Sequence, residues 1–258
     1  PINASITVML EGLDCIATVM SNGWTAVYRE GSNRDIFHLL GNKTIVLYDL
    51  AGGADCRFSP YCWRARMALA HKGLAVETRP TRFAQIAAIG DGSQKTVPVI
   101  DDRGTLVSDS FAIAQYLETT YPDAPSLFGG AGGEATARFV ESWANAALNT
   151  IIIRACVQDI HDQLHETDQP YFRASREKRF GQTLEQVQSG RDLNIEELHA
   201  ALLPLRLTLR RQAWIGGDMP LFADHIVFGS LQWARVISKV ALLKPDDPVA
   251  EWFGRCLD

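Results

Sequence analysis

Basic residues are in deficit: 25 Lys and Arg stand against 30 Asp and Glu, for a net charge of −5. No Lys/Arg-rich block offsets that deficit locally. A nucleic acid or an anionic membrane surface is therefore not expected as a partner. The chain also lacks an apolar run near the ~18 residues that a membrane span needs. The early apolar stretch ITVMLEGLDCIATVM carries Glu11 and Asp14 and has no basic residue before it, so it does not read as a signal peptide. Cysteine is sparse and unpatterned: Cys15, Cys56, Cys62, Cys156 and Cys256 are odd in number and show no metal-type pairing. That fits reduced thiols in a cytoplasmic protein better than a disulfide framework. Repeats and low-complexity tracts are missing as well.

What is present is an ordinary folded composition, 47% hydrophobic and 21% charged. Residues 1–43 form an N-terminal extension that mixes short β-prone runs with turn signals, and read either as a small hairpin or as a disordered segment. From Thr44 the pattern becomes regular. TIVLYDL (44–50) is a short β-branched run read as a buried strand, followed by a helix from Ser59 to about His71 that stops at Gly73. LAVETRP alternates as a strand should, and RFAQIAAIG is weakly helical. TVPVI and GTLVSD are short strands joined by the turn DDRG, and DSFAIAQYLETTYP is a helix ending before Pro122. The order β-α-β-α-β-β-α over residues 44–120 predicts a compact α/β domain. The Pro/Gly-rich stretch 121–133 reads as a joint, and residues 134–258 as an all-helical domain. Its helices are expected at about 134–165, 171–189, 192–212 and 222–239, with a short one from Pro248.

The chemistry centres on Ser-Pro-Tyr-Cys, residues 59–62. It has the form of a Cys-Pro-x-Cys redox turn whose first sulfur is replaced by oxygen, so two-step dithiol exchange is not expected there. Serine is a favoured N-cap, and proline at the first helical position gives up an amide that has no partner anyway. A helix start also favours an anion through its free amides and dipole. Ser59 thus either caps the helix and no more, or also donates to a thiolate brought by a cosubstrate. Cys62 reads as a buried helix cysteine, and Cys56 is the one nearby thiol with a chance of acting itself. His161 and His165 stand at a metal-ligand spacing, but no third ligand is indicated and no metal site is expected.

The order of these elements, with Ser-Pro heading the first helix, VP before the third strand and DS heading the third helix, resembles the thioredoxin-like half of glutathione transferases. The motifs YDL, SPYCWRARMALAHKGL, VPVI, DSFAIAQYLETTYPDAPSLF, DQPYFRASREKRFGQTLEQVQSGR and WIGGDMPLFAD together look like the glutathione-dependent β-aryl etherases of bacterial lignin breakdown and the related fungal etherase-like class. The resemblance runs from about Thr44 to the C-terminus. It implies a thioredoxin-like N-terminal domain, an all-α C-terminal domain, glutathione as cosubstrate and a homodimer. Ser59 would hydrogen-bond the glutathione sulfur. Pro98 would be a cis-proline whose neighbour Val97 holds the cysteinyl part, and Asp109 and Ser110 would receive the γ-glutamyl end. Asp224 would cap a helix through the amide of Leu221, where the usual capping side chain is replaced by leucine. The 43-residue extension departs from the family pattern.

An aromatic electrophile would lie between Ser59 and the helical domain. Candidate lining residues are Tyr61, Trp63, Trp143, Asn145, Arg154, Tyr171, Phe172 and Trp233. The expected activity is transfer of glutathione to such a substrate, with cleavage of β-aryl ethers as the specific form. Two alternatives are a carrier of hydrophobic ligands without turnover and a reductase working through Cys56 or Cys62.

Overall fold

The computed structural model describes residues 6–9, 15–20, 23–28 and 44–257, which fall into two compact units divided at Lys43–Thr44. In the first unit, β1 (Ile6–Met9), β2 (Cys15–Met20) and β3 (Gly23–Tyr28) form an antiparallel sheet in the order β1-β2-β3. Cys15 pairs with Tyr28 and Met20 with Gly23. The rest of residues 1–43 lies outside the described residues, and with it the choice between hairpin and disordered segment expected for the whole extension.

The second unit opens with β4 (Ile45–Leu50), whose Ile45 and Leu47 are fully buried. Helix α1 (Pro60–His71) crosses to β5 (Val76–Thr81), which pairs parallel to β4. The weakly helical segment forms a 3₁₀ run, Phe83–Ala88. β6 (Val99–Asp102) returns antiparallel to β4, and β7 (Thr105–Ser108) completes the order β5-β4-β6-β7. Pro80 is tolerated in β5 because that strand is an edge. Helix α2 (Ser110–Thr120) closes this thioredoxin-like domain.

The remainder is helical. α3 (Ala131–Trp143) begins earlier than the expected Glu134, after Gly130 with φ 112°. Gly133 is required in its first turn, since a Cβ there would stand 1.7 Å from the Phe128 carbonyl oxygen. The long helix expected over 134–165 is instead α3, a π-helical segment Ala144–Leu148, and α4 (Asn149–Gln163). The next two expected helices are each split. Gly181, at φ 68°, ends α5 (Gln169–Phe180) before α6 (Leu184–Gln188). Pro204 breaks the third into α7 (Arg191–Ala201) and α8 (Leu203–Leu209). α9 (Phe222–Ile237) and α10 (Pro248–Arg255) follow.

Helix α9 is buried almost all round and packs along α1, which makes it the axis of the unit. Gly229 permits that approach, because a Cβ would lie 2.4 Å from the Pro60 carbonyl oxygen and 3.1 Å from Arg64 Cγ. Its N-terminus is held by Asp224, which is wholly buried and accepts four hydrogen bonds. Oδ1 takes Ile215 N (2.8 Å) and Trp252 Nε1 (2.9 Å), and Oδ2 takes Gly216 N (2.9 Å) and Leu221 N (3.0 Å). Leu221 offers no side-chain acceptor in return. Its side chain packs where two glycines leave room, the methyl groups beside Gly129 and Cβ and Cγ beside Gly216.

Candidate active site

Ser59 stands at the N-cap of α1 in extended conformation, and its Oγ accepts from Cys62 N at 3.3 Å. Accepting that bond leaves the hydroxyl proton to be donated elsewhere. The Tyr61 amide belongs to the same first turn, where N–H groups have no partner within the helix. Ser59 opens onto a cleft of about 400 Å³ between the α/β and helical halves of the second unit. Of the residues expected from sequence, Ser59, Tyr61, Val97, Asn145, Tyr171, Phe172 and Trp233 line it. The Val97–Pro98 peptide is cis.

Three expected lining residues are absent from the cleft wall. Trp63 donates its indole N–H to the Arg57 carbonyl (3.0 Å) and packs edge-on to Phe228 (6.1 Å). Trp143 sits half-buried against the core at the end of α3. Arg154 turns to Glu197 on α7, at 2.6 Å. Asp109 and Ser110 lie at the head of α2, also outside the cleft lining. Asp109 holds φ 76° and accepts from Phe111 N (2.9 Å) and Ala112 N (3.0 Å). The Ser110 hydroxyl is buried with no protein partner among the described residues.

Both neighbouring thiols are held away from the reactive thiolate form. Cys62 is wholly enclosed, and burial pushes its thiol far above the usual range. Cys56 donates to Gln163 Oε1 (3.2 Å), and burial with the nearby Asp55 charge raises its pKa too. The His161–His165 spacing forms no ligand pair on a helix, since α4 ends at Gln163 and Leu164 is extended. His165 Nδ1 stands 2.9 Å from the Thr167 hydroxyl. Among the described residues no group of three His, Cys, Asp or Glu is placed to hold a metal ion, and no helix is long and apolar enough to cross a membrane.

Several residues of the site had no distinct mark in the sequence. Arg64, with no exposed surface, donates to Asn145 Oδ1 (3.0 Å), lies 3.7 Å from Glu141 and covers the Tyr61 ring at 4.7 Å. It ties α1 to the π-helical segment, and burial lowers its pKa. Asn145 also accepts from Asn149 Nδ2 (3.2 Å), so the π turn and the first residue of α4 each present an amide to the cleft. The Trp233 indole N–H and the Asn149 Oδ1 are buried without protein partners among the described residues. Lys95, Arg176 and Arg179 supply three cationic side chains to the wall.

Two family descriptions match: "Glutathione S-transferase, N-terminal domain" over residues 54–125 and "Glutathione S-transferase, C-terminal domain" over residues 135–255. The chain belongs to the glutathione S-transferase superfamily. A solved transferase, GSTFuA3 of Phanerochaete chrysosporium, shares 27% identity at a TM-score of 0.76, covering 84% of this chain and 97% of that one. CsGST83044 of Ceriporiopsis subvermispora, solved in complex with glutathione, has the same fold at 23% identity and a TM-score of 0.70, over 83% and 96% of the two chains. Among curated proteins, "Glutathione S-transferase U28" of Arabidopsis thaliana is 33% identical over 114 residues, or 43% of this chain and 46% of that protein. The chain thus matches somewhat less than half the length of that relative.

Proposed function

We propose that this transferase-fold protein binds glutathione, holds it as the thiolate at the start of α1, and transfers it to an electrophilic aromatic substrate. The observation that carries the reading is Ser59: a helix-capping hydroxyl with a proton to donate, on the wall of a cleft beside which burial raises the pKa of both neighbouring thiols. Lowering a thiol pKa from about 8.5 by roughly two units takes about 2.7 kcal/mol. One charge-assisted hydrogen bond contributes roughly 1.5–3 kcal/mol, and the helix start adds about 0.3–1 kcal/mol. Ser59 and the first turn of α1 are therefore sufficient in magnitude.

In this reading residues 44–120 hold glutathione and residues 134–258 hold the acceptor. Val97, beside cis-Pro98, receives the cysteinyl part through its backbone, and Ser110 and Asp109 receive the γ-glutamyl carboxylate and ammonium. The orphaned Ser110 hydroxyl supports that assignment, because a buried donor without a partner is costly until a ligand supplies one. Tyr61, Tyr171, Phe172 and Trp233 form the aromatic surroundings of the acceptor.

The specific reaction we infer is cleavage of a β-aryl ether next to a carbonyl. The thiolate attacks the ether-bearing carbon, a C–S bond forms as the C–O bond breaks, and the phenolate leaves to be protonated by solvent. The adjacent carbonyl activates that carbon, and a phenolate leaves more readily than an alkoxide. A homodimer in the reducing cytoplasm completes the reading, supported by the resemblance and by four free cysteines among the described residues. The test is turnover of chlorodinitrobenzene and of a ketone-activated aryl ether with glutathione, identifying the thioether and phenol products. Retained turnover in Ser59→Ala would refute the role of the hydroxyl, and loss on replacing Cys56 would point to thiol chemistry instead.

A further inference from the structure

We infer that the acceptor substrate carries an anionic group, a carboxylate on or near its aromatic ring, received by Arg176 and Arg179; this rests on the glutathione reading above. Among the described residues the cleft wall holds three cations and no Asp or Glu, in a chain whose net charge is −5. A cationic concavity on an acidic protein is a local arrangement, and a cleft with low-dielectric walls concentrates its field on an entering anion.

The helix that supplies the arginines shows how selectively charge has been left free. Arg173, one turn earlier on α5, is neutralised by Glu177 and Glu185, both at 2.9 Å. Arg176 and Arg179 have no carboxylate partner among the described residues. Arg176, partly buried, donates to the Ser175 hydroxyl (3.0 Å) and lies over the Phe172 ring at 4.6 Å, while Arg179 is exposed at the cleft. Their i,i+3 spacing places both on one helix face, above an aromatic surface in which Phe83 lies 5.8 Å from Tyr171 and 6.3 Å from Phe172. An aromatic ring bearing a carboxylate matches both features, and guanidinium groups engage a planar carboxylate through two parallel hydrogen bonds.

Charge counting separates these arginines from glutathione's own needs. Glutathione brings two carboxylates, one ammonium and the thiolate. Its γ-glutamyl end is accounted for at the head of α2, outside the cleft lining, and the thiolate by Ser59. The glycyl carboxylate remains for Lys95, two residues before Val97 and on the same wall. Arg176 and Arg179, from the helical half, are then left facing the acceptor.

The experiment compares a chlorodinitrobenzoate with the matching chlorodinitrobenzamide, which react by the same displacement and differ in charge. Full-length wild type, Arg176→Gln, Arg179→Gln and the double variant are assayed for kcat/KM on both. The ratio of benzoate to benzamide is expected to fall roughly tenfold or more in the double variant, the scale of a lost charge-assisted hydrogen bond. The wild-type KM for benzoate is expected to rise with ionic strength while that for benzamide does not. An unchanged ratio overturns the inference, and so does a rise in the glutathione KM with both acceptors slowing together, which would assign the arginines to glutathione. Turnover of the benzamide alone overturns the inference and leaves the transferase standing. Failure of both acceptors, with no glutathione binding, overturns both.

Discussion

Replacing Asp224 with Asn tests how α9 is fixed beneath the site. Each carboxylate oxygen takes two donors, at 2.8–3.0 Å, and the side chain has no exposed surface for water to reach. An amide keeps the shape but presents an NH₂ to one pair of donors, whichever way it is turned. Two buried N–H groups then lose their acceptor, at roughly 1–3 kcal/mol each. The expected cost is about 2–6 kcal/mol, a large part of the roughly 5–15 kcal/mol by which a domain is stable. Urea unfolding at neutral pH, followed by tryptophan fluorescence, reads it directly. A loss below about 1 kcal/mol would refute the reasoning, since it would mean those donors find other acceptors without penalty.

Other outcomes follow from the same contacts. Gly229→Ala is expected to cost about 1–3 kcal/mol by overpacking against Pro60 and Arg64, outweighing the gain in helix propensity of about 1 kcal/mol, and to raise the glutathione KM by shifting the first turn of α1. His71 Nε2 faces the Ser126 carbonyl (3.0 Å) and so carries the proton, which makes its Nδ1 the acceptor for His225 Nε2–H (3.2 Å). Burial lowers the pKa of His225 to about 3 and also lowers that of His71, so the folded chain binds fewer protons than the unfolded one below about pH 6.5. This contribution to stability is full above about pH 6.5 and falls by up to about 1.4 kcal/mol per pH unit for each histidine as the pH drops. Urea midpoints against pH are expected to show a smaller acid slope in His225→Phe. Cys56→Ser is expected to keep its turnover in the glutathione assay, because the thiol lies outside the cleft lining.

The strands and helices of the second unit were legible from local signals: the Ile45/Leu47 alternation of β4, the Ser59-Pro60 cap of α1, and the long apolar run of α9 from Phe222. What broke the long helices was less so. The left-handed Gly181 and Pro204 are visible as residues, whereas the π turn at 144–148 has no residue that announces it. Ser59 was readable as an N-cap because serine followed by proline suits a helix start. Trp63 and Arg154 lie outside the cleft lining because helical spacing gives a residue's face but not the partner that turns it, here the Arg57 carbonyl and Glu197. Arg176 and Arg179 escaped notice because cations on a helix read as solvated until the fold shows which of them have acidic partners.

The most direct test of the account titrates glutathione into wild type and Ser59→Ala by calorimetry, with ultraviolet thiolate absorbance followed against pH on the same samples. Wild type is expected to bind glutathione with the thiol pKa about two units below its free value of about 8.5, and Ser59→Ala to return it toward that value. Absent binding, or a thiol pKa that is unshifted or insensitive to the substitution, would contradict that expectation.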